Sequence, residues 1–278
     1  MIFVREEVRQ DFPETTVAGF MAIDSETVKH VVADRRTSHF YRNGRHYYMK
    51  AHHGIGWGEI LKNLVTFKLP VLGARSEWQA IRALERLGVA TMRIAAYGET
   101  GFNPAAIQSF LVTDALEQTE DLEQWLPGLD LARPADVRLK RAIIARMAKV
   151  ARILHGNGLN HRDFYLCHFR IDLSEGKPVE DNLRLYLMDL HRMQQRHKTP
   201  ERWAVKDVAG LIYSAFNVRG RPLFSRTDIA RFIRAYESSD FGSACRSHRK
   251  FWQQVTARIR GFARRKQYSR AELPSWLK

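Results

Sequence analysis

Apolar residues recur along this chain in two rhythms. In residues 31–33, 38–42 and 46–51 they form short runs rich in β-branched and aromatic side chains. The last two runs are separated by Asn43-Gly44, a dipeptide whose tolerance of positive φ makes it the strongest short hairpin signal. A small antiparallel sheet is predicted. From 74 to 87 the period changes: Trp78, Ile81, Leu84 and Leu87 share one helical face, and Gly88 follows where a C-cap needs positive φ. This helix is expected to pack on the sheet. Residues 109–115 read as a further strand and 119–126 as a short acidic helix.

Further along, Ile143, Ile144, Met147, Val150, Ala151 and Leu154 fall at helical spacing, which predicts an amphipathic helix over 138–155 ended by Gly156 and Gly158. Two strands, 169–173 and 183–190, are predicted around a polar turn at 174–182. The remainder reads as helices: 204–216, a stretch opening at Ser225 with Asp228 as capping-box partner, and 249–263. The order of elements predicts an α+β protein of two lobes, with a small antiparallel-sheet N-lobe over 1–117 and a mainly helical C-lobe over 118–278.

Composition narrows the classes. The chain has 278 residues, and a hydrophobic fraction of 45% excludes a disordered chain. No stretch approaches the roughly 18 uncharged apolar residues of a membrane span, and Arg5, Glu6, Glu7 and Arg9 stand where a signal peptide is apolar, so a cytosolic protein is expected. Cys167 and Cys245 form no C-x-x-C pair, and neither a disulfide framework nor a zinc site is suggested. A formal charge of +15 attracts anions: nucleic acid, anionic lipid, acidic protein or phosphorylated substrate. Residues 241–271 hold nine Lys and Arg and no acid, with Phe251, Trp252, Val255, Ile259 and Phe262 at helical spacing. That is either a solvated basic face over a core-facing stripe or a surface for a membrane or an acidic partner.

The candidate chemistry lies on the loop after the long helix. Asp163, between a buried helix and a strand, is held rigidly yet stays accessible, as a general base must. Asp189 ends the strand of Leu185 and Leu187, and pairing the two strands brings both carboxylates to one sheet edge. There one can take a hydroxyl proton while the other holds Mg²⁺ on a nucleotide's phosphates. Each also has a plainer reading, as a turn-capping or strand-end surface acid.

The order of strand Lys50, helix Glu77, His161-Arg162-Asp163 and Asp189-Leu190-His191 resembles the protein-kinase fold. More narrowly, residues 160–169, 70–78 and Tyr48-Met49-Lys50 are similar to the lipopolysaccharide inner-core heptose(I) kinases of Gram-negative bacteria, a likeness that spans nearly the whole chain. The resemblance implies ATP-dependent and Mg²⁺-dependent phosphorylation of a heptose hydroxyl on the lipid A–core precursor, at the cytoplasmic face of the inner membrane. It implies Asp163 as base, Asp189 as metal ligand, Lys50 orienting the α- and β-phosphates, Glu77 holding Lys50, Asp207 bracing the catalytic loop and adenine held near 111–115. Lys50 and Glu77 can also be read as an edge lysine and an exposed first-turn acid.

Two departures from the kinase pattern stand out. His168 occupies the position of the usual loop asparagine, and imidazole is a poorer Mg²⁺ ligand than an amide oxygen. No glycine-rich phosphate loop precedes Lys50; residues 34–37, with Arg35, Arg36 and Thr37, are expected to bind phosphate through guanidinium groups and backbone amides instead. Gly54, Gly56 and Gly58 come too late in the chain for that task. Cys167, beside the loop, reads as a small buried hydrophobe. The expected partners are the lipid A–core precursor, the anionic inner-membrane surface and an acidic acyl-chain-bearing protein. Two rivals remain: a kinase-fold enzyme with another small-molecule or protein acceptor, and a basic nucleic-acid-binding protein. No recognised nucleic-acid motif supports the latter, so nucleic acid is not the expected partner.

Overall fold

A computed structural model describes residues 1–32, 35–65, 71–216, 218 and 223–264. The chain divides into two compact units, Met1–Leu116 with Leu190–Arg192, and Glu117–Asp189 with the residues from Met193 onward.

The first unit is built on a six-stranded antiparallel sheet: β1 (Ile2–Val4), β2 (Glu26–Val32), β3 (Arg35–Arg42), β4 (Arg45–His52), β5 (Ile94–Thr100) and β6 (Gln108–Asp114), in the order β1-β5-β6-β4-β3-β2. Asn43 and Gly44 both take positive φ, 49° and 73°, in the two-residue turn between β3 and β4. One face of the sheet presents Phe40, Tyr47, Met49, Phe110 and Val112 to Val8, Phe12, Val17 and Phe20 of the N-terminal segment, which folds as a 3-10 turn (Glu6–Asp11) and a short helix, α1 (Val17–Met21). Phe20 stacks on Phe110 at 4.2 Å. Buried Asp11 ties this layer to the hairpin, accepting hydrogen bonds from Tyr47 Oη at 2.5 Å and Asn43 Nδ2 at 2.8 Å. Two helices follow β4, α2 (Gly56–Val65) and α3 (Arg75–Arg86). α3 packs on the opposite sheet face through Ile81 and Leu84, with Trp78 stacked on Tyr97 at 4.7 Å, as its apolar stripe predicts.

The second unit contains β7 (Thr119–Asp121), α4 (Leu122–Trp125), α5 (Pro134–Gly156), β8 (Leu159–Asn160), β9 (Phe169–Asp172), β10 (Leu185–Leu187), β11 (Gln194–Gln195), α6 (Glu201–Phe216), α7 (Arg226–Glu237), α8 (Phe241–Ser247) and α9 (Arg249–Ala263). All six apolar positions that predicted α5 are buried. Gly158, at φ +78°, lies where an added Cβ would stand 1.8 Å from the Arg196 carbonyl oxygen, so the β8–β11 pairing requires glycine. The capping box of Ser225 and Asp228 opens α7, and Asp228 also receives Lys140 Nζ of α5 at 2.9 Å, a buried ion pair joining the two helices.

Several elements differ from the sequence expectation. β1 and β5 were unforeseen: the first is three residues long, and the second is covered on both faces, so it has no alternation to read. The predicted helix 119–126 begins as a strand because Thr119, Glu120 and Asp121 pair with β9, and Asp121 then caps the single turn of α4. The predicted strand 183–190 is only three residues long, since Asp189 takes φ 60° and Leu190–Arg192 turns as a 3-10 helix. Of the predicted strand 31–33, Val31 and Val32 end β2, and Ala33 lies outside the described residues, as do Asp34, Pro70 and the tail beyond 264.

Candidate active site

In the first unit, β4 carries Lys50 on the face that α3 covers. Its Nζ donates to Glu77 Oε1 at 2.6 Å; Glu77 is 2% exposed, Lys50 22%. The register sets Thr37 and Leu111 on either side of Lys50, and Arg35 and Ser109 on either side of His52, two residues further along the same face. Burial, together with the nearby Arg35 and Lys50 cations, pushes the His52 imidazole down to about 3, so it is neutral at physiological pH. Ser76, the neighbour of Glu77, donates from Oγ to the His191 carbonyl at 3.2 Å, tying α3 to the segment that follows Asp189.

The expected phosphate loop needs correction. Arg35, Arg36 and Thr37 are not in a loop: they open β3 and pair with β2 on one side and β4 on the other, so ladder pairing occupies the backbone meant to cradle phosphate. Strand alternation further separates them. Arg35 and Thr37 share the Lys50 face, whereas Arg36 points to the other side and donates to the Met21 carbonyl at 3.2 Å. Residues 111–113, expected near adenine, are likewise paired on both sides, and Ala115 N donates to the His46 carbonyl at 3.0 Å.

In the second unit, the loop from His161 to the 3-10 turn Leu166–His168 hangs from α6. Asp207, 1% exposed, accepts the backbone N–H of His161 at 2.6 Å and of Arg162 at 2.9 Å, the bracing role its position in the chain suggested. Arg162 is held at φ 74°, a conformation that non-glycine residues adopt at a cost and keep only when surroundings over-determine it. Its guanidinium lies 5.2 Å from the Trp203 ring centroid. On the far side of Asp163, Phe164 is buried against Phe169, and Leu166 N donates to Ser214 Oγ at 2.9 Å. Asp163 is thus fixed from both ends, with Lys206 Nζ 4.0 Å from its Oδ1 and also donating to the Arg162 carbonyl.

The second carboxylate is held to the same loop. His161 Nε2 donates to the Met188 carbonyl at 2.9 Å, and Met188 N donates to the His168 carbonyl at 2.8 Å. Complete burial pushes the His161 imidazole down, in keeping with the neutral Nε2–H form that this bond requires. His168 Nδ1 faces the Asp163 carbonyl at 2.6 Å and must be the donor there. In the neutral ring Nε2 then carries the lone pair, which faces Asp189 Oδ2 at 3.5 Å. Two electron-rich atoms opposed at that distance suit a proton or a cation between them. Among the described residues no group of three or more His, Cys, Asp or Glu gathers as for a resident metal ion. Cys167 is half-buried, and burial pushes its thiol up to about 11, so it stays protonated.

The structure therefore brings Lys50, Glu77, Arg35 and Thr37 together in the first unit and Asp163, His168 and Asp189 in the second, while leaving Arg36 aside. A family model described as "Lipopolysaccharide kinase (Kdo/WaaP) family" matches residues 22–236. The chain belongs to this family. It is 50% identical over 203 residues to "Lipopolysaccharide core heptose(I) kinase WaaP" of Pseudomonas aeruginosa, covering 73% of each chain. To the protein of that name from Escherichia coli strain K12 it is 42% identical over 203 residues, covering 73% of this chain and 74% of the other. A solved structure described as "WaaP in complex with acyl carrier protein" superposes with a TM-score of 0.76 at 33% identity, covering 94% of this chain and 98% of that one. The expected kinase-like α+β fold and the family resemblance are both borne out.

Within the family fold, sequence reasoning missed Lys206, Trp203, Ser214 and Gly210, all on α6. An added Cβ at Gly210 would lie 3.1 Å from the Phe164 carbonyl oxygen, so the missing side chain lets the loop lie on the helix. The available signal was Asp207 itself: once a helix acid is assigned to the loop, Trp203 and Gly210, one turn away, and Ser214, two turns away on the same face, become candidates, whereas Lys206, next to it in sequence, carries no such signal.

Proposed function

We propose that this chain transfers the γ-phosphoryl group of ATP to a heptose hydroxyl of the lipopolysaccharide inner core. The acceptor oxygen attacks the γ-phosphorus, the bridging bond to the β-phosphate breaks, ADP leaves, and Asp163 takes the hydroxyl proton. Lys50, held by Glu77, pairs with the α- and β-phosphates, with Arg35 and Thr37 on the same strand face. Asp189 is the metal ligand, with His168 Nε2 beside it as a second, weaker donor. A carboxylate oxygen is a hard donor that suits Mg²⁺, and the ion held there would neutralise charge on the phosphates. The observation that supports this reading most directly is the loop clamped by Asp207, which fixes the backbone just before Asp163. The heptose acceptor comes from likeness to the named relatives.

The partners in this reading are the lipid A–core precursor, the anionic inner-membrane surface and an acidic acyl-carrying protein, the last supported by the solved relative and by the chain's charge of +15. In this reading the enzyme works at the cytoplasmic face of the inner membrane as a peripheral protein; among the described residues no helix is long and apolar enough to cross a membrane. The test is transfer from labelled ATP with Mg²⁺ to dephosphorylated core lipopolysaccharide, with DNA and an aminoglycoside as controls. Asp163→Ala is expected to lower kcat by roughly 10²–10⁴ with ATP binding little changed. Label on a control acceptor alone, or near wild-type turnover in the variant, would refute the reading.

A further inference from the structure

The basic tail helix α9 does not offer its apolar residues: Trp252, Val255, Ile259 and Phe262 are all buried, so α9 shows mainly its charges to solvent. The opposite situation holds in α2. Only Ile60 is buried there, while Trp57, Leu61, Leu64 and Val65 are 56%, 57%, 52% and 78% exposed. At 3.6 residues per turn these four positions cover an arc of about 100°, a continuous apolar stripe turned to solvent. Glu59, Lys62 and Asn63 occupy the other side, bonded to one another.

A second apolar element is locked to this helix. Gly56 N, at the start of α2, donates to the Ala105 carbonyl at 2.9 Å, and an added Cβ at Gly54 would lie 2.7 Å from that same oxygen. Gly54 and Gly56, which come too late to cradle phosphate, therefore hold the start of α2 against the loop 101–107. That loop carries Phe102, which is fully exposed. A soluble protein does not ordinarily leave Trp, two Leu, Val and Phe facing water on one corner.

Charge selects the occupant. The chain carries a formal charge of +15, and in sequence residues 51–74 hold two cations, Lys62 and Lys68, against the single acid Glu59. Exposed aliphatic and aromatic residues among cations, on a convex helix, match an interfacial helix lying on anionic lipid. We propose that α2 and the Phe102 loop form the face by which this protein inserts into an anionic phospholipid bilayer. The proposal deepens the reading above, resting on it only for the location of the acceptor.

Flotation of the full chain with phosphatidylethanolamine vesicles, with and without phosphatidylglycerol and in the absence of nucleotide and acceptor, tests the proposal apart from the reaction. Wild type is expected to float with phosphatidylglycerol. The triple variant Trp57→Ser, Leu61→Ser, Leu64→Ser is expected to lower the bound fraction roughly tenfold or more. Phe102→Ser, on an exposed loop where it cannot unfold the sheet, is expected to lower it several-fold. Brominated acyl chains are expected to quench wild-type fluorescence and to lose that quenching in Trp57→Phe, which still floats. All variants keep transfer to deacylated, soluble core acceptor, so a failure of the kinase reading shows separately. Wild type that does not float, flotation unchanged in the triple and Phe102 variants, equal quenching in Trp57→Phe, or a dimer that the triple variant splits would each overturn the proposal, the last in favour of a second copy of the chain.

Discussion

Replacing Asp207 separates the scaffold of the loop from its chemistry. The carboxylate is buried and accepts two backbone amides, His161 N at 2.6 Å and Arg162 N at 2.9 Å, while His155 Nε2 stands 3.6 Å away. A hydrogen bond to a charged group contributes about 1.5–3 kcal/mol, so the pair is worth about 3–6 kcal/mol at full value. Part of this is returned in Asp207→Ala, because the loop can then relax the strained φ of Arg162, which costs about 1–3 kcal/mol to hold. The expected net loss is about 2–4 kcal/mol, read as a lower urea midpoint at unchanged m-value. Asp207→Asn keeps one acceptor but turns an amide N–H toward the other donor, so it should fall between wild type and alanine. Relaxation at Arg162 displaces the adjacent Asp163, and a shift of about 1 Å in a reacting group costs about 10² in turnover, with ATP affinity nearly unchanged. A stability change under about 0.5 kcal/mol would refute the bracing argument. A large stability loss with normal turnover would instead refute the link from brace to base.

Two further predictions concern the first unit. Glu77→Gln removes the buried partner of Lys50 and is expected to raise the KM for ATP about tenfold and cost about 1–3 kcal/mol of stability; lost stability with unchanged nucleotide affinity in titration calorimetry would make the pair purely structural. His52 binds a proton more readily unfolded, where its value is 6.5, than folded, where it is about 3, so its burial stability is present above 6.5 and is lost as pH falls below it. The loss approaches about 1.4 kcal/mol per pH unit from this one group. Urea melts at about pH 7, 6 and 5 should therefore show a shallower acid loss in His52→Gln, with buried His161 retaining its own share; equal slopes would count against a neutral buried His52.

Much of this arrangement was readable because its determinants are local. Asn43-Gly44 specifies its turn through positive φ, the α5 stripe reports burial on one face, and Ser225 with Asp228 closes its own capping box. The Lys50–Glu77 contact was readable for a different reason, since only the order of the motifs along the chain, not any local pattern, brings two residues 27 positions apart to 2.6 Å. Arg35, Arg36 and Thr37 misled for want of the register. As a polar run they look like a loop, yet neighbours on both sides draw them into the sheet, and once there alternation sends Arg36 to the opposite face.

The apolar helices show a deeper ambiguity. α9 and α2 both place large apolar side chains at helical spacing beside cations, and by composition α9, with four basic residues and no acid, is the stronger membrane candidate. Packing reverses the order. α6 offers α9 an apolar surface, where Phe262 meets Tyr213 at 5.7 Å, so the α9 stripe is consumed inside the protein. In α2, Ile60 is the buried residue and Gly56 N is bonded to Ala105, and among the described residues the stripe of Trp57, Leu61, Leu64 and Val65 stays exposed. Hydrophobic periodicity specifies which side chains share a face; what that face touches depends on whether a second element of the same chain reaches it first.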